Sequence, residues 1–513
     1  MLLSMHQLLA VGLFACTIPG SLSYSIEKSS KYRTVVTTDM ESDDIASLVR
    51  YFLYTNELDT EGLIYTSSKY HWAGDGKGTK FFLPDREYNT SQTSWRWTGT
   101  RTIEDQLLPA YAAVYPNLKV HDSAYPTPKE LLSKVRIGNI IFEGEMEEDT
   151  EGSDLIRSLL LDNDPRTLYL QAWGGTSTIA RALKSIEERY SKTLKWSRVK
   201  KAVSKKAVIL ASGFQDQTYV DYIAPNWPQL RVEDFQSAYD TWSFNCNKSG
   251  QGNIRPPGLP DDHVYFTGAW IKENIQIGPL GRHYRSWLDG QTTAPGDQLD
   301  VFGNYTLASA PNTWCKPLGS YDFLSEGDNV AFNPLLKTGI QNPSNPSLGS
   351  WGGRSVLNTS SPELWQLAKS EKAQNGSEIA GYTFNRWISA DRNDFATRMQ
   401  WTLTPKYGNG NHAPSIKIVN GGSVKARAGS TVKLSARVTD PDNDQVTTSW
   451  WQYAEEGTYT GKVSMTAIRK GNGASVKVPS DAKSGQTISI IAQATDDGDF
   501  PLTRYDRVII TVV

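Results

Sequence analysis

Three aspartates with the spacing Asp-x-x-x-Asp-Asp, namely Asp39, Asp43 and Asp44, have the clearest potential for chemistry. Asp43 or Asp44 could be an ordinary helix N-cap, but that role accounts for only one carboxylate. Clustered like charges repel unless a cation or a pKa shift intervenes, so the spacing favours a metal site. Oxygen ligands suit Ca²⁺, and zinc is disfavoured because no nearby His/Cys pair has ligand spacing.

Two later segments and one histidine contain further candidates. A predicted strand ends at Trp173 and is followed by Gly174 and Gly175, which could equally form a tight turn. Asp328 precedes an apolar run and could be a metal ligand or an N-cap. His71 follows the second predicted strand, and we favour an ordinary loop position for it over a place in the site.

The elements that must position these residues alternate between strand and helix. Residues 32–38 predict a strand, residues 45–53 have helical spacing, and residues 61–66 predict a second strand. This βαβ pattern indicates a parallel sheet, in which ligands bind at the carboxyl ends of the strands. We predict an α/β domain over residues 31–408, with a mostly parallel sheet flanked by helices and with capping segments.

A change of pattern after residue 408 predicts a second domain. Residues 409–414 predict a linker, and short alternating runs over residues 415–513 predict a smaller all-β sandwich of immunoglobulin-like type. No Cys…Trp…Cys signature identifies that subtype. The acidic segments 440–444 and 496–499 could cap hairpins or bind a structural Ca²⁺, and we favour turns.

Composition excludes several classes of protein. The chain has 513 residues, 38% of them hydrophobic and 21% charged, which is globular composition. The net charge of -2, without a long basic block, argues against a nucleic-acid partner. Residues 1–23 predict a signal peptide, and hence a secreted, extracellular protein. No later segment approaches the roughly 20 apolar residues of a membrane helix.

Cysteines and sequons support a secretory route. Once Cys16 leaves with the signal peptide, Cys246 and Cys315 remain, either as a disulfide or as two free thiols. Asn-x-Ser/Thr sequons predict glycosylation at five positions, Asn89, Asn247, Asn304, Asn358 and Asn375.

The Asp-x-x-x-Asp-Asp motif at a first βα turn resembles that of the calcium-dependent nucleoside hydrolases. The resemblance implies that Asp39, Asp44, Asp328 and the backbone carbonyl of Trp173 bind Ca²⁺. It also implies catalytic roles for Asp39, as general base for the attacking water, and for Asp43, which would hold sugar hydroxyls.

Two positions depart from the nucleoside hydrolase pattern. Thr37 stands where that family usually has a further aspartate, and Gly327 stands where many members have a histidine. The second departure removes a familiar acid for a purine leaving group, so nucleoside cleavage is put in doubt. Glu326 is the candidate replacement acid and substrate contact.

The whole layout is still more similar to a family of cellulose-binding proteins that combine a nucleoside-hydrolase-like domain with a carboxyl-terminal β-sandwich. The likeness covers nearly the entire mature chain and implies a polysaccharide partner. From it we assign Asp216 as a substrate-binding residue. The segments that show the likeness are Gly213–Gln217, Gly278–Gly281, Glu326–Asp328, Ser350–Arg354 and Asn393–Trp401.

The preferred hypothesis is a secreted, calcium-dependent hydrolase of glycosidic or N-glycosidic bonds that acts on plant or microbial saccharides. The chain has 16 Trp and 24 Tyr, some of which could line a carbohydrate groove, although most belong to core or loop packing. The alternative hypothesis is a non-catalytic cellulose- or polysaccharide-binding protein on the same fold. Nothing in the sequence indicates an oligomeric state.

Overall fold

The computed structural model describes residues 31–97, 99, 101–238, 245–246, 263–266, 268–285, 323–324, 326–373 and 376–513. The predicted signal peptide at residues 1–23 lies outside these ranges. So do Cys315 of the predicted disulfide and the sequon residues Asn247, Asn304 and Asn375. Of the other two sequon residues, Asn89 is exposed and Asn358 is half-buried, and glycosylation stays a prediction.

The described residues of the first part of the chain form one eight-stranded sheet and two small pairs of strands. The strands are β1 (Tyr32–Thr38), β2 (Leu58–Tyr65), β3 (Val135–Ile137), β4 (Leu168–Ala172), β5 (Ala207–Ala211), β6 (Arg231–Asp234), β7 (Asn245–Cys246), β8 (Phe323–Leu324), β9 (Ser355–Leu357), β10 (Leu364–Leu367), β11 (Ser370–Lys372) and β12 (Glu378–Ala380). The sheet order is β3-β2-β1-β4-β5-β6-β10-β9, and β7 pairs with β8 and β11 with β12. All neighbours in the large sheet are parallel except β9 and β10, which confirms the predicted mostly parallel sheet.

Helices cover both faces of this sheet. They are α1 (Ser42–Phe52), α2 (Leu108–His121), α3 (Pro128–Leu132), α4 (Glu151–Leu161), α5 (Ser177–Tyr190), α6 (Trp196–Lys206), α7 (Ala224–Asn226), α8 (Gly268–Asn274), α9 (Gly278–Gly281), α10 (Tyr382–Asn385) and α11 (Ile388–Trp401). Successive strand residues point to opposite faces. Val35 therefore packs with the core under α4, α5 and α6, whereas Val36 packs with the core under α1, α2 and α11.

Shorter π and 3₁₀ turns connect some of these elements. The π turns are Ile103–Leu107 and Tyr219–Ile223, and the 3₁₀ turns are His263–Phe266, Asp328–Ala331, Asn333–Leu335, Tyr407–Asn409, Ala454–Glu456 and Arg469–Gly471. Among the described residues, none of the helices combines the length and apolar character needed to cross a bilayer.

The order of the strands places a crevice beside β1. From β1 the chain moves outward to β2 and β3, and it then returns to add β4, β5 and β6 on the other side. The connections therefore diverge at the carboxyl ends of β1 and β4, which is where open α/β sheets bind ligands. Residues that follow Thr38 and Ala172 line this crevice.

The carboxyl-terminal part of the chain is all-β, as predicted. Its strands are β13 (Ser415–Ile418), β14 (Ser423–Ala426), β15 (Thr431–Thr439), β16 (Thr447–Gln452), β17 (Ser464–Ile468), β18 (Gly473–Lys477), β19 (Thr487–Thr495) and β20 (Thr503–Val512). They form two four-stranded sheets, ordered β13-β15-β18-β17 and β14-β20-β19-β16, which share one apolar core. The immunoglobulin-like subtype stays a prediction.

The sandwich is joined to the α/β domain by buried aromatic and polar contacts. Trp387, just before α11, lies 5.9 Å from Trp451 and 5.3 Å from Tyr505 of the sandwich, between ring centroids. Within the predicted linker, His412 is buried and stacks on Tyr407 at 3.8 Å. The connection between the domains is therefore packed at His412.

Arg507 of β20 is the clearest polar contact between the domains. Its guanidinium donates to the carbonyls of Gly349, at 2.5 Å, and Ile340, at 3.0 Å, and it pairs with the buried carboxylate of Glu456 at 2.7 Å. We expect Arg507→Met to lower the free energy of unfolding by about 3–5 kcal/mol, because it leaves the charge of Glu456 buried without its cation. Urea denaturation measures this change. Arg437→Met, at an exposed position on β15, is the matched control, and equal losses in the two variants would contradict the assignment.

Candidate metal centre

The sharp connection from β1 to α1 positions the predicted aspartates. Asp39 follows β1, and Asp43 and Asp44 lie in the first turn of α1, all three buried. Between them, Met40 has a φ of 61°, in the left-handed region. The N-cap of α1 is Glu41, and its side chain makes no capping hydrogen bond. Neither Asp43 nor Asp44 is the N-cap, so that structural alternative for the cluster does not hold.

Asp328 reaches the same place from a distant part of the chain. It begins a 3₁₀ turn that packs against α1, and its backbone N–H donates to Ser47 Oγ at 3.1 Å. Candidate ligand oxygens of Asp43, Asp44 and Asp328 lie within 4.8 Å of one another. Oxygens around one Ca²⁺, each about 2.3–2.6 Å from the ion, have separations of this size.

Two of these carboxylates are buried without partners. Asp39 and Asp328 are 1% and 0% exposed, and in the described part of the chain neither accepts a hydrogen bond of good geometry. Asp44 differs, because it accepts one from the Thr38 hydroxyl. A buried carboxylate without a partner is unfavourable, and a cation would satisfy it. The donor set therefore fits Ca²⁺.

The proximity of these carboxylates changes their proton affinity. Burial raises the pKa values of Asp44 and Asp328 well above the ordinary range, and the charges of neighbouring aspartates raise them further. Burial and the charge of Glu41 raise the pKa of Asp39 to about 7, although His71 opposes the increase. A divalent cation would favour the ionised form of all three groups.

A carboxylate and an imidazole in close contact lie beside Asp39. His71 Nδ1 is 2.5 Å from Glu41 Oε1, and Arg96 Nη1 is 3.4 Å from the same oxygen. Burial raises the pKa of Glu41, but the charges of His71 and Arg96 outweigh that effect and lower it to about 2. Asp39, Glu41 and His71 each offer one candidate ligand atom, and these three atoms lie within 4.8 Å of one another. The structure thus places His71 at the site, where sequence analysis favoured an ordinary loop position.

The predicted carbonyl ligand lies at the end of β4, next to β1. The Trp173 N–H donates to the Thr37 carbonyl at 2.9 Å. The Trp173 carbonyl accepts from Gln215 Nε2 at 3.0 Å, which leaves one lone pair for a metal. A close approach favours glycine at position 174, because a Cβ there would lie 3.0 Å from the Cβ and Cγ of Asp39.

Asp216, predicted to bind substrate, instead holds the start of α5. Its oxygens accept from the backbone N–H of Ser177 at 3.0 Å and of Thr218 at 2.9 Å, and from the Thr176 hydroxyl at 3.2 Å. A Cβ at Gly175 would lie 2.2 Å from Asp216 Oδ2, which explains the second glycine. Because both oxygens are occupied, the structure does not support a substrate contact.

Glu326, predicted as a replacement acid and substrate contact, lies in a buried ion cluster. Its Oε1 accepts from Arg50 at 2.9 Å, and its Oε2 accepts from Arg392 at 2.9 Å and from the Tyr284 hydroxyl at 2.5 Å. Both carboxylate oxygens of Glu326 therefore already bind buried donors of the protein. The predicted roles of Glu326 as acid and as substrate contact stay predictions.

Two polar residues near Asp328 were not predicted from the sequence. Asn329 is fully buried, and within the described residues neither atom of its amide has a hydrogen-bond partner. Ser212 directly follows β5, and its hydroxyl is also buried without a partner of good geometry in that part of the chain. Ser212 could have been predicted by the same signal as Asp39, because both residues directly follow a buried parallel strand.

We expect the stabilising effect of Ca²⁺ to grow as the pH rises. A carboxylate with a raised folded pKa stabilises the folded protein below its unfolded pKa and loses that contribution as the pH rises through the folded pKa. For Asp39 this window runs from 3.8 to about 7. Because Ca²⁺ needs ionised ligands, it should raise Tm more at pH about 8 than at pH about 5. Thermal unfolding with Ca²⁺ and with a chelator checks this, and an equal rise at both pH values would contradict it.

We expect Asp44→Asn to raise the Tm of the chelated protein and to abolish the rise in Tm caused by Ca²⁺. The substitution removes one of several mutually repelling buried charges, so the metal-free fold gains stability while the ion loses a ligand. Wild type should gain about 2.7 kcal/mol at a hundredfold excess of Ca²⁺ over its Kd. Asp221→Asn, at an exposed position, is the control and should behave as wild type. A destabilised variant that still responds to Ca²⁺ would argue against the metal site.

Comparisons with solved structures agree with this fold. A nucleoside hydrolase-related hypothetical protein from Saccharophagus degradans, described as associated with carbohydrate metabolism, is 26% identical with a TM-score of 0.67. The similarity covers 94% of this chain and all of that one. The effector protein XOO4466 is 10% identical over 73% of this chain and 94% of its own, with a TM-score of 0.36, and supports no argument.

Sequence comparisons identify a curated relative and a family. Chitinase A of Pseudoalteromonas piscicida is 24% identical over 330 residues, 57% of this chain but only 37% of that enzyme. Residues 33–355 match the family model "Cellulose-binding Sde182, nucleoside hydrolase-like domain", and residues 431–512 match "Cellulose-binding protein Sde0182, C-terminal domain". The chain therefore belongs to the family of cellulose-binding proteins that have a nucleoside-hydrolase-like domain.

Proposed function

We propose that this is a secreted, Ca²⁺-dependent hydrolase of glycosidic or N-glycosidic bonds in cell-wall saccharides. The observation that carries the proposal is the pair of buried, unpaired carboxylates, Asp39 and Asp328, beside Asp43 and Asp44 at the carboxyl ends of the central strands. Ion pairs or hydrogen bonds would satisfy such groups in a purely structural cluster. Here the geometry supports a ligand instead.

Asp44, Asp328, Asp39 and the Trp173 carbonyl are the residues that would hold Ca²⁺. Their donors are carboxylate and carbonyl oxygens, the ligand type that Ca²⁺ prefers. When bound, the ion lowers the pKa of a water molecule and so provides a nucleophile near neutral pH. Thr38 and Ser47 hold Asp44 and the turn at Asp328 in place by hydrogen bonds.

Asp39 is the proposed general base. Its oxygens are unpaired within the described residues, and the contact between its side chain and Gly174 fixes its position at the end of β1. Asp43 would hold sugar hydroxyls while positive charge develops on the sugar ring. Direct attack by water on the anomeric carbon, without a carboxylate nucleophile, predicts inversion of configuration.

The leaving-group side of the site supports a saccharide better than a purine nucleoside. Gly327 replaces the histidine of many nucleoside hydrolases, and the two carboxylate oxygens of Glu326 are bound by Arg50 and Arg392. The family is described as cellulose-binding, the Saccharophagus relative as associated with carbohydrate metabolism, and the other relative as a chitinase. These descriptions favour a polysaccharide partner for this chain too.

A second candidate function is polysaccharide binding without turnover. The family description supports it directly, since it names cellulose binding and gives nucleoside hydrolase only as a likeness. In this case the aspartates would bind Ca²⁺ and sugar hydroxyls, and Asp39 would have no proton to transfer.

We expect Asp39→Asn to reduce the release of sugar product on the order of 10²–10⁴-fold, the usual contribution of a general base, and to leave cellulose pull-down unchanged. Reducing-end release from cellulose, chitin and soluble glycosides with Ca²⁺ present measures the first effect. Asp221→Asn is the exposed control and should match wild type.

Two results would redirect the assignment. If wild type binds cellulose but releases no product from any of these saccharides, the binding function replaces the hydrolase. If Ca²⁺-loaded protein liberates free base from common nucleosides faster than sugar from saccharides, the nucleosidase activity of the related hydrolases replaces the saccharide substrate.

A further inference from the structure

A second group of carboxylates lies in the sandwich domain, at its junction with the α/β domain. Asp440 follows β15, and Asp442 and Asp444 lie in the loop that leads to β16. Candidate ligand oxygens of these three residues lie within 4.8 Å of one another. Asp440 Oδ1 accepts from the backbone N–H of Asp442 at 2.9 Å and of Asp444 at 3.0 Å. Acidic turns of this kind are common, so the cluster alone does not establish a site.

A separate observation points to a ligand at this cluster. Asp496, directly after β19, is 4% exposed, and its Oδ2 has no hydrogen-bond partner within the described residues. Its Oδ1 is fully used, because it accepts from Leu502 N at 2.9 Å, Asn411 Nδ2 at 3.2 Å and Gly498 N at 3.3 Å. One oxygen is therefore anchored, and the other is buried without a counterpart.

Several contacts place Asp496 at the aspartate cluster. Asn411 donates to Asp496, and the next residue, His412, donates from its backbone N–H to Asp442 Oδ2 at 2.6 Å. On the other side, Gln445 N donates to Asp497 Oδ1 at 2.8 Å. The first two contacts connect Asp496 and Asp442 through consecutive residues, and the third connects the residue after Asp444 to the residue after Asp496. The two acidic loops are therefore adjacent.

The electrostatics agree with this placement. Burial raises the pKa of Asp496, and the negative charge of Asp440 raises it further. Asp440 Oδ2 and Asn411 Oδ1 are also buried without partners in the described part of the chain. Three acceptor oxygens from three separate segments thus lack donors, and in each case a cation would satisfy the oxygen.

We propose that Asp440, Asp442, Asp444 and Asp496 form a second Ca²⁺ site, which joins the two acidic loops of the sandwich to the segment that enters it. Ca²⁺ is the cation expected, because the donors are carboxylate oxygens on irregular loops, and Ca²⁺ tolerates such a shell better than Mg²⁺, which demands octahedral geometry. The role is structural: Asn411 and His412 already bind two of the ligand residues, so the ion fixes the junction between the domains. The proposal does not depend on the hydrolase function.

Counting bound Ca²⁺ on the full chain tests the proposal. Protein stripped with a chelator is equilibrated with millimolar Ca²⁺, and bound metal is measured by elemental analysis. We expect two ions per chain in wild type, one in Asp440→Asn, one in Asp44→Asn and none in the double variant. Asp481→Asn is the matched control, because Asp481 precedes β19 at the opposite end of that strand from Asp496, and it should keep both ions.

The outcomes separate this site from the one at β1. If wild type binds one ion that only Asp44→Asn removes, the junction site is refuted and the β1 site stands. If the one ion is removed only by Asp440→Asn, the β1 site is refuted and the junction site stands. Should Asp440→Asn fail to fold by circular dichroism, Asp444→Asn replaces it, since its side chain is half-exposed and accepts no hydrogen bond that holds the loop in the described structure. Retention of both ions by that variant and by Asp496→Asn would overturn the proposal.

Discussion

Mutual repulsion among buried carboxylates is the constraint to which the α/β domain is adapted. Asp39, Asp43, Asp44 and Asp328 share one buried space, so the metal-free fold holds like charges together against their electrostatic preference. The arrangement persists only if neighbouring elements fix each backbone segment. The sheet supplies β1 and β4, glycine at position 174 lets the β4 turn approach Asp39, and α1 holds two of the carboxylates in its first turn.

The same helix also contains the arginine that anchors the segment of Asp328, which is distant in sequence. Arg50, in the last turn of α1, is fully buried and binds both Glu326 and Asp391. Glu326 lies two residues before Asp328, so this ion pair fixes the segment that delivers Asp328 to the site. A carboxylate that sequence proximity suggested for catalysis is thus used for positioning. Burying such an ion pair costs desolvation free energy, so its presence is best explained by the fixed positions that it gives to the residues around it.

Local patterns predicted much of the fold and of the site. Apolar periodicity identified β1, α1, β4 and β5, and the strand-end position of Asp39 identified the crevice, because these signals lie within a few neighbouring residues. The failures involve partners far apart in sequence. Arg50 is 276 positions from Glu326, and no local signal indicates that pairing. The short strands β9 to β12 were also missed, since three or four residues show no period, and the role of Asp216 depends on a turn 40 residues earlier.

The packed junction bears on how a bound polymer would meet the site. Trp387 lies against Trp451 and Tyr505, and Arg507 donates to two carbonyls of the α/β domain. An appended module on a flexible tether raises the local concentration of substrate by an amount set by tether length. Tether length does not set the local concentration here, because the junction between the domains is packed. A polysaccharide held on the sandwich would be presented at one distance and one angle, so lengthening residues 409–414 would disrupt folding contacts rather than tune capture.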